Sequence, residues 1–294
     1  MKSSYLTNLI LICIIAALFW FSRQTDTPDI NTNSFAAIDI KAINDIQLKR
    51  EHRDDIKLIK QANRWQIVQP INAAASRVRA SLLLSILDSP SHSQLAHPNE
   101  QMLKQLGLKP IKLSLKLNEH LFVFGDLEPL NKHRYVLYKN TVYLMDDKIA
   151  PLLNATAASF INNRLIANTQ QITSIQLPLL DDTQLSTTQT ISIDRNNDHW
   201  QSQPQIDSTE RLANLIEFWQ QAEAMQVSPL ADKDTVGLAN MVATIRFKDV
   251  AMQATLGLQL TDRSLFIIDH NKKLKYQFPK AMAHQLFPNN KDLN

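Results

Sequence analysis

Residues 56–68 read IKLIKQANRWQIV. Apolar and polar side chains alternate from Ile56 to Lys60 and again from Arg64 to Ile67, on either side of Gln61-Ala62-Asn63. Successive strand side chains point to opposite faces, so this pattern predicts two half-buried antiparallel strands about a tight turn. A similar stretch follows 135 residues later: Thr190-Ile191-Ser192-Ile193-Asp194, a turn at Asn196-Asn197-Asp198, then His199-Trp200.

Placing Trp65 over Trp200 aligns much else. The helical patterns Ala75 to Asp88 and Ser208 to Met225 come together. Leu106-Gly107-Leu108 falls near Val236-Gly237-Leu238, Gly125 near Gly257, and Tyr143 near Tyr276. All four glycines of the chain form two equivalent pairs, a sign of an internal repeat. Further alternating runs, Ile111 to Leu115 with Leu121 to Phe124 and Tyr135 to Tyr138 with Val142 to Leu144, predict hairpins in the first copy. Thr244 to Phe247 and Leu265 to Ile268 predict strands in the second. In its helix, Leu212, Leu215, Ile216, Trp219, Ala222 and Met225 make one apolar stripe, and Asp207 with Glu210 can form the N-terminal cap.

The N-terminus differs. Tyr5 to Phe21, YLTNLILICIIAALFWF, carries no charge and is just long enough to span a bilayer as a helix. Lys2 lies before it, and the Phe19-Trp20-Phe21-Ser22-Arg23 end offers no small-residue cleavage site. Residues 1–22 are therefore expected to be a cytoplasmic tip and uncleaved anchor, and 23–36 a polar tether. The expected fold class is α+β: a transmembrane helix, then two tandem antiparallel-sheet-plus-helix repeats at 37–166 and 167–288, and a tail at 289–294.

Composition narrows the chemistry. With four glycines in 294 residues, none close enough for GxGxxG or a P-loop, the common phosphate-cradling turns are absent. Cys13 is the sole cysteine, which excludes an internal disulfide, a CxxC pair and a cysteine-built zinc site. A net charge of +3 is a weak field for nucleic acid, and no basic-aromatic pattern supports such a partner. Charge is nonetheless uneven: residues 31–166 hold 18 basic against 12 acidic side chains, and residues 167–294 hold 11 against 14. The basic half adjoins the anchor and suits anionic lipid headgroups.

Trp65 in its hairpin, a helix, Leu106-Gly107-Leu108-Lys109-Pro110, a strand closing on Gly125 and the Tyr135-Val136 strand occur in an order that resembles the bacterial domain-of-unknown-function family 4340. The likeness covers Ile40 to Ile166 well and the second copy, with Trp200, Gly237 and Gly257, more loosely; Leu238-Ala239-Asn240 lacks the following proline. The resemblance implies a membrane-anchored exported protein, in some cases associated with ABC-type transporters of the gliding-motility or auxiliary kind. It carries no catalytic residues, so none are assigned.

Eight histidines show no HxxxH or HExxH spacing. His92 and His97 flank a Ser/Pro-rich loop, and a metal there needs two more ligands from afar. The pairs Asp54-Asp55, Asp146-Asp147 and Asp181-Asp182 fall between predicted elements, where Asp makes turns and caps. Gly125-Asp126-Leu127-Glu128 reads as a turn rather than a site. The expectation is a non-enzymatic inner-membrane protein without cofactor or metal, its body an interaction or scaffold module for a membrane-protein or envelope partner. The alternative is a periplasmic solute-binding protein or enzyme with its site between the two repeats.

Overall fold

The structure is a computed structural model. It describes residues 38–181, 184–197, 199–206, 208–231, 241–248, 250 and 253–289, together with Ile14, Ile15, Ala17 and Trp20.

Seventeen strands are described, in two antiparallel sheets. The first holds β1 (Asp45–Arg50), β2 (Ile56–Gln61), β3 (Arg64–Gln69), β4 (Ala73–Ala74), β5 (Ser91–Ala96), β6 (Leu113–Leu117), β7 (His120–Leu127), β8 (Arg134–Tyr138) and β9 (Thr141–Met145). Their order is β4-β3-β2-β1-β6-β7-β8-β9-β5. The second holds β10 (Ile172–Asp181), β11 (Gln184–Asn196), β12 (His199–Gln203), β13 (Gln226–Pro229), β14 (Val242–Phe247), β15 (Ala254–Leu260), β16 (Ser264–Asp269) and β17 (Leu274–Pro279). Its order is β12-β11-β10-β14-β15-β16-β17-β13. Read strand for strand, the two orders are the same, except that β4 has no counterpart among the described residues. With short helices between the strands, the class is mixed α+β.

The hairpin pattern that opens the sequence forms β2 and β3, with Lys60 opposite Trp65 and Leu58 opposite Ile67. Ala62 and Asn63 both take positive φ, as a two-residue hairpin turn of matching twist requires. Alternation places Ile56, Leu58, Trp65 and Ile67 in the core. In the second sheet Ile191 and Ile193 of β11 are likewise buried, and Trp200 stands opposite Arg195.

Some elements depart from the sequence expectation. The first helix is α over Arg77–Leu84 (α1) and tightens to a 3-10 turn over Ser85–Asp88. Two short helices follow, α2 (Glu100–Gln105) and α3 (Ala150–Leu153). The helix of the second half, α4 (Thr209–Gln221), is capped by Ser208, whose hydroxyl accepts from the Arg211 N–H; Asp207 lies outside the described residues. Because α4 stops at Gln221, Met225 leaves the apolar stripe and is exposed, while Leu212, Leu215, Ile216 and Trp219 are buried. Trp219 donates its indole N–H to the Leu286 carbonyl at 2.6 Å and meets Phe287 edge-on. Leu286 closes the last helix, α5 (Ala283–Leu286).

The Ser/Pro-rich loop around His92 is a strand, β5. It and β13 are edge strands, each paired on one side only. Most of β5 is exposed, so it needs no apolar alternation and gives no such signal.

By contact the described chain divides into two compact units: residues up to Arg53 with Leu82–Leu153, and Asp54–Ser81 with the residues from Asn154 onward. The bodies expected at 37–166 and 167–288 are contiguous in sequence; these units are not. Residues 54–81 join the later unit through main-chain bonds. Ser76 N–H donates to the Phe160 carbonyl at 2.7 Å, and Asn162 N–H to the Ala74 carbonyl at 2.8 Å.

Among the described residues no helix is long and apolar enough to cross a membrane. Of the expected span Tyr5 to Phe21, only Ile14, Ile15, Ala17 and Trp20 are described; all four are helical and exposed. The rest of that span lies outside the described residues, as does Gly237.

Candidate functional site

The glycine-bearing motif builds a junction in the first unit. Asn99 caps α2, its side chain accepting from the Met102 N–H. At the other end Gly107 takes φ +69°, a left-handed conformation that glycine adopts without penalty. Its N–H donates to the Lys104 carbonyl at 3.1 Å and the Leu108 N–H to the Leu103 carbonyl at 2.8 Å, the paired bonds of a Schellman cap. Leu103 and Leu108 then pack together with Val123 and Val142, against which Leu106, Tyr135 and Leu137 rest. Pro110 follows through a cis peptide bond.

Gly125 of β7 completes the junction. A Cβ there would stand 2.2 Å from the Leu106 carbonyl oxygen, so only glycine lets the strand approach the helix end this closely. The approach is used, since the Asp126 N–H donates to that carbonyl at 2.9 Å. The β7–β8 register slips at this point, and Arg134 takes up the Gly125 carbonyl at 2.7 Å. Glu128 accepts from the Leu130 and Asn131 N–H groups. Those backbone donors, the Asn131 N–H first, hold its carboxyl below the usual range. These motif residues therefore serve architecture.

Trp65 and Trp200 occupy matching places, each second in its strand and each beneath a cation from the strand before it. Lys60 Nζ lies 5.9 Å from the Trp65 ring and Arg195 Cζ 6.0 Å from the Trp200 ring. Gly257 lies in β15, where a Cβ would meet the tip of His270 at 3.3 Å.

The later unit contains a cleft of about 810 Å³. One wall is the β2–β3 turn and the start of α1, the other residues 156–169 with Glu223 to Val227. Its charged lining is Arg64, Arg77, Arg79 and Arg164 against Glu223 alone. Arg164 is engaged, its Nε 3.0 Å from Glu223 Oε1. No acidic side chain pairs with Arg64, Arg77 or Arg79 among the described residues. Ser76, Arg77, Val78 and Arg79 all line the cleft, so the positive end of the α1 dipole opens onto it. None of the buried polar residues, Ser91, Ser114, Ser264 and Asp269, takes part. The arrangement favours anions electrostatically, with Arg64 and Arg77 exposed and Arg79 half-exposed. Sequence reasoning registered only a basic half of the chain. Its local trace is Arg77-Val78-Arg79, which meets residues 156–169 where Ala74 to Ser76 bond residues 160–162.

One cluster of titratable side chains stands out in the first unit. His92 and His133 both reach Asp146, at 2.8 Å and 3.6 Å. His97, at the other end of the Ser/Pro-rich stretch, bonds Asn140. The ligand atoms of His92, His133 and Asp146 all lie within 4.8 Å of one another. His92 and then Lys148 hold the Asp146 carboxyl below its usual range.

No curated protein and no solved structure matches the chain. The family model described as a domain of unknown function, DUF4340, matches residues 65–255. That match begins at the Trp65 hairpin, crosses the glycine junction and the cleft, and runs into β15 of the second sheet. It covers well over half of the sequence, and the chain belongs to that family.

Proposed function

We propose that this protein is a membrane-held interaction module of the cell envelope, whose arginine-lined cleft receives an acidic segment of a partner protein. One observation carries the reading: Arg64, Arg77 and Arg79 converge on one cleft without acidic partners there. Holding like charges together without counterions is unfavourable, and an incoming carboxylate cluster relieves it with charge-assisted, often bidentate, hydrogen bonds.

The membrane part of the proposal rests on the uncharged Tyr5 to Phe21 run and Lys2 before it, which favour a cytoplasmic N-terminus and an exported body. Exposed Ile14, Ile15 and Trp20 in helical backbone agree with a lipid-facing segment. The matching strand orders support an origin by duplication, and family likeness favours an accessory of an ABC-type transporter or envelope complex as the setting. A solute-binding protein or enzyme would hold a small ligand among buried, converging polar groups. The polar side chains of this cleft are exposed or half-exposed, which favours a macromolecular partner and a non-enzymatic role.

A photo-crosslinking residue at exposed Val78, installed in the full chain in intact membranes, tests the reading. The expected result is one dominant adduct that disappears when Arg77 and Arg79 are changed to Glu. No adduct, together with calorimetric binding of a small anion such as citrate to the purified chain, would establish the solute-binding alternative instead.

A further inference from the structure

His92, His133 and Asp146 come from three separate stretches of the first unit and meet at one point. Ser91 pairs with Met145 and Ser93 with Leu144, so His92 is the extra residue of a β-bulge in β5. A bulge re-aims one side chain. Here it directs His92 Nε2 to 2.8 Å from Asp146 Oδ1. His133, immediately before β8, brings its Nε2 to 3.6 Å from the same oxygen. The next residues along both stretches are clamped together: Arg134 Nε and a terminal guanidinium nitrogen donate to the two Asp147 oxygens at 2.6 and 2.7 Å. That bidentate pair fixes the backbone carrying His133 and Asp146, as outer-shell partners do around a ligand set.

We propose that His92, His133 and Asp146 form a binding site for a divalent transition-metal ion of the zinc type, with two imidazole nitrogens and one carboxylate oxygen as ligands and solvent completing the shell. The donor set suits zinc, cobalt or nickel rather than calcium or magnesium, which prefer all-oxygen shells. With bonds of about 2.0–2.2 Å, donor atoms around a tetrahedral ion sit roughly 3.4 Å apart. The separations of 2.8 and 3.6 Å bracket that value, and the three donor atoms all lie within 4.8 Å of one another. Lys148 Nζ, 3.0 Å from Asp146 Oδ2, occupies the second oxygen and leaves Oδ1 to the imidazoles.

The two imidazoles stack at 3.8 Å with planes 7° apart. Parallel rings cannot both aim an in-plane lone pair at one ion, so binding turns one ring about χ2, a broad and soft torsion. His133 is the ring that turns. Its Nδ1 is buried without a hydrogen-bond partner, so it loses least on leaving the stack.

The test uses the full chain in detergent, without a histidine tag and stripped by a chelator, titrated with Co²⁺ and then with competing Zn²⁺. The proposal expects one equivalent of Co²⁺ with the visible absorption of a four- or five-coordinate ion, displaced by zinc. His92→Gln, His133→Gln and Asp146→Asn should each weaken zinc binding by about 100-fold or more, while His97→Gln leaves it unchanged. Proton NMR of the unmodified chain gives an answer that needs no variant to fold: zinc should shift the imidazole C–H resonances of His92 and His133 alone. Absence of stoichiometric binding, equal binding in all four variants, or shifts at other histidines would overturn the site and leave a hydrogen-bonded His–Asp cluster.

Discussion

The two sheets share one strand order, yet they differ where they are most specialised. The first has β4, a two-residue strand beyond β3 with no counterpart among the described residues of the second, and the chain from Ala74 to Ser76 bonds residues 160–162 beside the cleft that Arg64, Arg77 and Arg79 line. The first also has a glycine-locked junction, Gly107 against Asp126 and Gly125 against Leu106, and among the described residues of the second the glycine is Gly257 of β15, facing a histidine tip. A repeated scaffold thus carries different side chains at comparable places, arginines on β3 and α1 and His92 on β5.

The sharpest way to break this comparison is at the paired glycines. Gly125→Ala pushes a Cβ to 2.2 Å from a backbone oxygen that cannot rotate away. A loss of about 3 kcal/mol is expected in urea unfolding of the full chain. Gly257→Ala meets only the far end of His270 at 3.3 Å and should cost less than about 1 kcal/mol. Equal losses would mean that the two positions are equivalent after all. Gly107→Val comes next, at about 1–2 kcal/mol, from its left-handed backbone alone. The Asp126 carboxylate in its way is exposed and can move aside.

A third prediction concerns the second sheet. Burial, with Asp269 nearby, pushes the Tyr276 hydroxyl above its ordinary value. The folded state then retains a proton that the unfolded chain loses near pH 10, so the stabilising contribution is complete below that pH and falls as pH rises beyond it. The slope should be about 1.4 kcal/mol per pH unit. Tyr276→Phe should remove this alkaline limb, and an unchanged limb would place its origin elsewhere. Smallest in stability, though not in consequence, are charge reversals at Arg64, Arg77 and Arg79, expected within about 0.5 kcal/mol of wild type because surface ionic groups contribute little.

Much of the scaffold was readable from residues. Ile56, Leu58, Trp65 and Ile67 alternate because one sheet face is buried, and that requirement writes itself into the sequence. Gly107 was readable as a C-cap because so few glycines occur in the chain. The edge strands were not, since β5 is held through backbone bonds to β9 and leaves most of its side chains to solvent. Neither site was readable either. Their members lie far apart in sequence: His92 and Asp146 meet through one bulge, and the arginines meet Asn162 and Arg164 because Ala74 to Ser76 pair with residues 160–162. Proximity of that kind follows from register, which composition and spacing do not encode.

The most direct test sets the arginines that line the cleft against arginines of the second half. The full chain would be crosslinked in native membranes in two forms, one with Arg64, Arg77 and Arg79 changed to Glu, the other with Arg195 and Arg211 of the second half changed likewise. If the cleft is the binding surface, the first form loses its partner adduct at unchanged melting temperature and the second retains it. Loss in both forms, or in the second alone, would contradict the assignment of binding to the cleft.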